Sequence, residues 1–456
     1  MAGSVMSLKG AQGIGLFFFV LMGLVSSAQA AVFSPQTATL ANGMRVVVIQ
    51  NKLSPAVAQV VMYKIGAADD PAGRSGLAHY LEHMMFKGTQ AVPDGAFSKA
   101  VAAQGGDDNA YTTYDYTAYY EVVAAAQLPL VMQMEADRMR GLVLDPDKAA
   151  SELSVVKSER QQRTDNHPQG LFAEKMRAAL FPSQPYGRPV IGRRDEVARL
   201  TPDDARAFYD RSYAPQNAIL LVSGNVTMAE MLADAAATFG RVKGGAPLKR
   251  AALPFVPKSK NERVEMQDAR VTQPSVMALV PAPSRRMDAP RSYALEVLAE
   301  ILGGGEVGLL YRHFVLEKKS ASGVSFSYDP MARGPATFSW SAVPAATTKV
   351  RALEKQIEAW LAQKARAGFA VAEVARAKQR MEDGAVFARD RLLAPAQILG
   401  EAMAVGVSVE EVEAWPQRIG AVTPAQVNAA LRDVMKQKGW VTGILEPPSA
   451  KKGEAE

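Results

Sequence analysis

The predicted order of strands and helices constrains the fold most, because it occurs twice along the 456 residues. Residues 56–163 and 274–384 both read as a strand, a helix and a further strand region followed by a pair of helices. Glu152-x-x-x-x-Lys157 and Glu373-x-x-x-x-Lys378 lie at matching points in these pairs. Two repeats of about 200 residues predict a duplicated α+β domain.

A segment without periodicity separates the repeats. Residues 246–262 contain proline, lysine and no hydrophobic pattern, which is typical of a linker. We therefore predict an N-terminal domain over residues 31–245 and a C-terminal domain over residues 263–456. Near the start, Asn42-Gly43 between two apolar runs predicts a β-hairpin with a type I′ turn.

Residues 1–30 predict a secretory signal peptide. Lys9 is the single charge, an apolar run covers Ile14 to Val25, and Ala28-Gln29-Ala30 is a small-residue cleavage site. The run is well short of the roughly 20 residues that span a bilayer, and no other stretch is long enough. We expect a periplasmic mature chain that starts near Ala31 and has no membrane span.

Composition narrows the chemistry. The chain has no cysteine, which excludes disulfides, thiol catalysis, Cys-ligated zinc and iron–sulfur clusters. A formal net charge of +6 over this length gives no reason to expect nucleic-acid binding. Any metal is therefore held by carboxylates and by the four histidines, which are His79, His83, His167 and His313.

Two of these histidines fall in one window, His79-Tyr80-Leu81-Glu82-His83. Residues i and i+4 of a helix share one face, so both imidazoles can reach one ion. Glu82 lies beside that face, where a carboxylate can accept a proton from a metal-bound water that attacks a carbonyl. H-x-x-E-H is the inverted zincin signature. The alternative is a chance pattern on a packed helix, which is rare with so few histidines.

A zinc site with two histidines needs a third protein ligand, usually a carboxylate. The helix SELSVVKSERQQR offers Glu152 and Glu159, which lie two turns apart on one face. Periodicity does not decide between them. We expect His167, in a loop before a proline, and His313, in the second half, to be ordinary surface or packed histidines.

The segment GRSGLAHYLEHMMFKGT resembles the zinc-motif helix of the pitrilysin/insulinase metallopeptidases, the family of the mitochondrial processing peptidase and insulin-degrading enzyme. GGDDNAYTTYDYTAYYEVV, QPYGRPVIG and YAPQNAILLVSGNV extend the resemblance, which best fits the short bacterial and processing-peptidase branch. It implies an α+β fold with two homologous domains, each a mostly antiparallel β-sheet packed with α-helices, that form half of a clamshell.

The resemblance also implies one Zn²⁺ per chain on His79, His83 and Glu159, with Glu82 as the general base. Glu152 matches an acidic position that holds a ligand or the helix in place. A set of two histidines and a glutamate accepts several divalent ions, and zinc is the ion that the resemblance implies.

A peptide-binding strand is implied as well. Asn109, Ala110 and Tyr111 match the edge strand that pairs with the substrate backbone by β-augmentation, which recognises main chain more than side chains. The alternative for these three residues is ordinary pairing within a sheet.

The second half departs from the family pattern. Active members carry there an Arg and a Tyr, seven residues apart, that bind the substrate carbonyl region and the tetrahedral intermediate. In this chain the Arg position falls on Val315 or Leu316, and the Tyr position falls on Ser322 or Gly323. The zinc motif is missing from this half too, and Arg380 stands where the third ligand would be.

We therefore expect a zinc endopeptidase for peptides or unfolded segments, completed by a homologous partner chain that lacks the zinc motif and supplies the Arg/Tyr pair. In one alternative, Arg312, Tyr328 or Arg333 takes over that role within this chain. In another, the chain is a non-catalytic scaffold or peptide-binding subunit of the same fold. Such scaffolds usually lose the zinc residues, which this chain keeps.

Overall fold

The computed structural model describes residues 32–448. The predicted signal peptide, residues 1–30, lies outside the described residues. The strands are β1 (Gln36–Thr39), β2 (Arg45–Gln50), β3 (Ala56–Tyr63), β4 (Asp107–Thr112), β5 (Thr117–Ala124), β6 (Ala218–Gly224), β7 (Glu262–Gln267), β8 (Ser275–Ala282), β9 (Ala321–Tyr328), β10 (Ala336–Pro344) and β11 (Val441–Glu446).

Helices outnumber strands, and short 3₁₀ turns join several of them. The helices are α1 (Leu77–Met84), α2 (Ala96–Ala103), α3 (Leu128–Gly141), α4 (Pro146–Arg160), α5 (Pro168–Leu180), α6 (Arg194–Val197), α7 (Pro202–Ser212), α8 (Met228–Ala237), α9 (Ala289–Gly303), α10 (Leu309–Tyr311), α11 (Val350–Ala367), α12 (Val371–Asp390), α13 (Ala394–Val405), α14 (Val409–Glu413), α15 (Trp415–Ala421) and α16 (Pro424–Lys436). Within the described part of the chain, no helix is long and apolar enough to cross a membrane.

The strands form two sheets with the same topology. The first has the order β1-β2-β6-β3-β5-β4 and the second the order β7-β11-β8-β10-β9. The pairs β2·β6 and β7·β11 are parallel, and the other pairs are antiparallel. Apart from β1, each strand of the first sheet therefore has a counterpart in the second. This confirms the predicted α+β fold of two homologous, mostly antiparallel domains.

The first hairpin forms, but its turn is not the predicted one. A type I′ turn needs a left-handed φ at both central residues. Gly43 has a φ of 89°, whereas Asn42 does not have a positive φ. Asn42 instead donates its side-chain amide to the carbonyls of Phe239 and Val242 at 2.8 and 2.9 Å. A contact far along the chain thus overrides the local turn preference.

Each domain covers one sheet of the other with a helix. From the N-terminal domain, α5 packs on the second sheet, where Phe172 and Met176 share an apolar cluster with Val441 and Leu445 of β11. The contact is so close that a Cβ on Gly443 would lie 2.7 Å from the Phe172 ring and would also meet Met176. Glycine is therefore required at this point of β11.

The reverse contact is made by α13 of the C-terminal domain, which packs on the first sheet. Leu399 and Ala402 share an apolar cluster with Val60, Met62 and Leu221 of β3 and β6. Because neither sheet is closed by its own domain alone, the two domains hold each other in one arrangement.

Replacing Gly443 by Val should overpack the α5 contact and lower the free energy of unfolding by about 1–3 kcal/mol. Gly323→Val is the matched control, because Gly323 also lies in a strand of the second sheet but a Cβ there meets nothing within 4 Å. We expect the control to change stability by less than about 0.5 kcal/mol. Denaturant unfolding followed by circular dichroism measures both, and equal losses would contradict the close packing.

Candidate metal centre

The helix that carries the H-x-x-E-H motif starts at a fixed point. Gly76, which precedes α1, has a φ of 88°, a conformation that favours glycine. A Cβ at this position would lie 2.7 Å from the carbonyl oxygen of Ile191. Buried Asp70 accepts hydrogen bonds from the amides of Gly76 and Ala78 at 2.8 and 2.9 Å. The first turn of α1, which includes His79, is therefore fixed by the close approach at Gly76 and by the hydrogen bonds to Asp70.

Three predicted ligands converge between α1 and α4. Nε2 of His79 and Nε2 of His83 lie 3.6 and 3.1 Å from Oε2 of Glu159, and all three ligand atoms are within 4.8 Å of one another. Ligand atoms around a tetrahedral zinc, with bonds of about 2.0–2.2 Å, stand about 3.3–3.6 Å apart. Oε2 of Glu159 is buried without a well-formed hydrogen bond to any described residue. The group thus fits a zinc ion.

The protonation of the two histidines differs. Burial and the nearby His83 lower the pKa of His79 to about 4, so this imidazole is neutral at pH 7, the form that binds metal. Burial alone would lower the pKa of His83 as well, but the carboxylates of Glu152 and Glu159 outweigh it and raise the pKa to about 9. The two carboxylates therefore favour a positive charge here, whether a proton or a metal cation.

Glu152 has a different place from Glu159. Its Oε1 lies 2.8 Å from Nδ1 of His83, on the side of the ring away from the ligand atom Nε2. Its Oε2 pairs with Nζ of Lys87 at 2.6 Å. A carboxylate on the second ring nitrogen fixes the orientation and tautomer of a metal-binding histidine. Glu152 therefore supports His83 and is not one of the three converging ligands.

Two basic residues at the centre are absent from the sequence-based set. Lys87 pairs with Glu152, and Nη1 of Arg163 lies 2.7 Å from Oε1 of Glu159. Arg163 belongs to the π-helical turn Gln161–Asp165 that continues α4. The signal that could have found both is their spacing, because Lys87 follows His83 and Arg163 follows Glu159 by four residues.

Glu82 lies beside the metal group. The hydroxyl of Thr112, the last residue of β4, donates to Oε2 of Glu82 at 2.5 Å. Burial raises the pKa of Glu82 above its usual range, although this hydrogen bond opposes the shift. A carboxylate with a raised pKa beside a metal site is suited to exchange protons with a substrate or with water.

These groups line one cavity of about 870 Å³. Asn109, Ala110 and Tyr111 line it as well, and they lie on β4, which has β5 as its one strand neighbour in the described sheet. The amide of Ala110 donates to the side-chain oxygen of Asn109 at 2.8 Å. This amide is therefore capped by a side chain at a free sheet edge, where a carbonyl of an added strand can replace the cap.

The other two histidines lie elsewhere. His167 is exposed just before α5, and His313 stacks on Trp360 with ring centroids 5.6 Å apart. Neither lines the cavity that holds His79 and His83.

The C-terminal domain holds an ion pair where the N-terminal domain holds its metal group. Nε of Arg380 on α12 lies 2.6 Å from Oε1 of Glu300 on α9. In the topology of the repeat, α9 corresponds to α1, because each follows the matching strand β8 or β3. Helix α12 corresponds to α4, because each is the second helix of the pair after β10 or β5. A permanently charged guanidinium thus lies between α9 and α12, the counterparts of the two helices that carry the candidate metal ligands in the first domain.

The residues considered as substitutes for the missing pair have other contacts. The hydroxyl of Tyr328 donates to the carbonyl of Pro283 at 2.5 Å, and the guanidinium of Arg333 contacts Asp69 and Asp115 at 3.2 and 3.3 Å. Tyr328 and Arg333 are buried, and neither they nor Arg312 line the cavity. Val315 and Leu316 lie in a π-helical turn, Arg312–Glu317, and Ser322 and Gly323 lie on β9.

Known proteins are similar to this chain in sequence and in fold. Zinc protease PqqE of Helicobacter pylori is 30% identical over 380 residues, which are 82% of this chain and 84% of that protein. The crystal structure of a protease from Helicobacter pylori matches with a TM-score of 0.84 at 25% identity, over 91% of this chain and 99% of that one. The periplasmic protease PqqL of Escherichia coli matches with a TM-score of 0.75 at 20% identity, over 92% of this chain and 48% of that one.

Two family models match in sequence order. The model described as insulinase (peptidase family M16) matches residues 45–194, which include the metal group and Glu82. The model described as the peptidase M16 inactive domain matches residues 199–381. The chain therefore belongs to peptidase family M16, the insulinase/pitrilysin family of zinc metallopeptidases.

Proposed function

We propose that the chain is a zinc-dependent endopeptidase that hydrolyses peptides or unfolded polypeptide segments. The observation that carries this proposal is the convergence of His79, His83 and Glu159 with Glu82 in one cavity bordered by a free strand edge. The similarity to a protein named zinc protease supports it. The predicted signal peptide, and the periplasmic location named for PqqL, support a periplasmic site of action.

The catalytic step assigns a role to each group. His79, His83 and Glu159 would hold the zinc ion, which when bound would supply Lewis acidity at the scissile carbonyl and for activating the attacking water. Glu82 accepts the proton of the attacking water and returns it to the leaving amine. Thr112 fixes the carboxylate of Glu82 through Oε2, which leaves Oε1 for the proton.

The substrate binds as an added strand. A peptide carbonyl replaces the side chain of Asn109 at the amide of Ala110, so the main chain provides the first hydrogen bond. Because such pairing is independent of side chains, it suits a peptidase that accepts many sequences.

A homologous partner chain completes the site in this proposal. Its basis is the lack of the Arg/Tyr pair at residues 315–316 and 322–323, together with the internal contacts of Tyr328 and Arg333. This chain corresponds to about half of PqqL, 48% of its length, which leaves room there for a second unit of this size. We infer that two separate chains provide here what a longer chain can carry alone.

Elemental analysis of the purified chain should give one zinc per chain. His79→Ala should abolish zinc binding, because it leaves two of three protein ligands. His313→Ala is the control and should keep the metal, since His313 lies outside the cavity. A wild-type chain without affinity for zinc would support the scaffold alternative instead.

Glu82→Gln should keep the zinc and lower kcat by about 10²–10⁴, because the amide cannot accept the proton while the ligands are intact. Peptide cleavage and zinc content are measured on the same preparation. If the variant keeps wild-type kcat, another group is the base.

Adding the homologous chain with the Arg/Tyr pair should raise kcat by at least about 10², the usual effect of a donor to the tetrahedral intermediate. Replacing that Arg or Tyr in the partner should remove the gain. The partner proposal fails if this chain alone cleaves peptides as fast as the mixture.

A further inference from the structure

One buried arginine of the C-terminal domain reaches into the N-terminal domain. Arg333 follows β9, and its Nε and Nη1 contact Asp115 and Asp69 at 3.3 and 3.2 Å. Its backbone amide donates to Asp115 as well, at 2.9 Å. Arg333 and Asp115 are 7% and 4% exposed. This contact between the domains is therefore a largely buried ion-pair cluster and not a surface pair.

Two further groups complete this cluster. Arg250, between β6 and β7, donates to both carboxylate oxygens of Asp69 at 3.1 and 2.6 Å and to the carbonyl of Asp115 at 2.7 Å. The hydroxyl of Tyr186 donates to Asp115 at 2.5 Å and accepts from the amide of Gly334 at 2.9 Å. Two carboxylates thus face two guanidinium groups, and the cluster is balanced in charge.

The first aspartate leads directly to the zinc helix. Asp69 is adjacent to Asp70, whose carboxylate accepts hydrogen bonds from the amides of Gly76 and Ala78. Ala78 is adjacent to His79. Asp69 therefore lies one residue from the carboxylate that holds the start of α1.

The second aspartate leads to the strand that is proposed to bind substrate. Asp115 lies three residues after Thr112, the end of β4, and Thr112 donates to Glu82. The two segments are also joined directly, because the amides of residues 67 and 68 donate to the carbonyls of residues 113 and 114 at 2.9 and 2.8 Å. The cluster therefore lies where the segment that precedes α1 is hydrogen-bonded to the segment that follows β4.

We propose that Arg333 is a positioning residue, through which the domain without a zinc motif holds the zinc helix and the β4 edge in register. This inference rests on the proposed function. It gives the second domain a positioning role that does not depend on an Arg/Tyr pair. Arg333 does not touch the metal group. It acts through Asp69 and Asp70 on α1, and through Asp115 on β4 and Thr112.

A small displacement is enough to matter. Misplacing a reacting group by about 1 Å can cost about 10²-fold in rate, and loss of a partner behind a metal ligand typically costs 10- to 100-fold in metal affinity. Without Arg333, Arg250 alone faces two carboxylates, and a buried charge is left without its partner.

Arg333→Met keeps the apolar stem and removes the charge. We expect zinc affinity, measured by competition with a chelator, to fall by about 10-fold. Hydrogen exchange of residues 74–84 and 107–116 should become faster, and kcat of the partner-completed enzyme should fall more than KM rises. Arg333→Lys should recover part of the zinc affinity, the protection from exchange and the kcat that Arg333→Met loses. An ammonium keeps the charge, but it cannot bind both aspartates in one plane as a guanidinium does.

Gly443→Val is the control that distinguishes a positioning role of Arg333 from a general weakening of the contact between the domains. It overpacks the contact at α5, where the atoms nearest an added Cβ belong to Met176 and Phe172 and not to Asp69 or Asp115. At a matched loss in Tm, Gly443→Val should retain zinc affinity within about two-fold and show little faster exchange at residues 74–84. Equal effects of Gly443→Val and Arg333→Met would overturn the proposal.

The test also stands apart from the proposed activity. Zinc affinity and hydrogen exchange need no turnover, so a wild-type chain that binds zinc but cleaves nothing would refute the peptidase and leave the positioning result readable. If Arg333→Met does not fold, Arg333→Lys decides, and wild-type zinc affinity with wild-type exchange in that variant would overturn the proposal.

Discussion

The exchange of helices between the two domains is the contact on which the rest of the structure depends. The first sheet buries one face under α13 of the second domain, and the second sheet buries one face under α5 of the first. Burial of apolar surface is the main driving force for folding, and neither domain can complete it alone. The relative position of the domains is therefore set by core packing, which is close enough at β11 to require Gly443. On this frame Arg333 of one domain reaches Asp69 and Asp115 of the other.

Charge interactions hold the side chains of the metal centre in place within the packed domains. Three carboxylates, those of Glu82, Glu152 and Glu159, lie around two imidazoles in a largely buried place. Lys87 and Arg163 balance two of these carboxylates from the outer side. The inner side is left for a cation, because a buried carboxylate is costly without a partner.

In the C-terminal domain, the helices that correspond to α1 and α4 are joined by an ion pair in place of a metal group. Arg380 and Glu300 form an ion pair between α12 and α9, so a fixed guanidinium fills the place of a dissociable metal. The second domain thereby pairs a carboxylate with a guanidinium at this point, where the first domain has the three candidate metal ligands. Its remaining contribution to the site, in our proposal, passes through Arg333 to the supports of α1 and β4.

The sequence by itself determined the features that depend on short range. Helical spacing placed His79 and His83 on one face beside Glu82, and the repeated order of elements predicted two α+β domains. The same periodicity could not choose between Glu152 and Glu159, because residues two turns apart share one face. Only the packing of α4 against α1 places Glu159 at the two Nε2 atoms and Glu152 at Nδ1 of His83.

Tertiary structure also determined the contacts of residues whose partners are distant in sequence. Asn42 lacks the left-handed φ of the expected type I′ turn and donates to the carbonyls of Phe239 and Val242. Arg333, a candidate for a catalytic role, pairs with Asp69 and Asp115 instead. Local patterns report what a residue can do within a few turns or strands. Which charged groups meet across 200 residues depends on how two sheets and their exchanged helices pack, and that arrangement is a property of the whole chain.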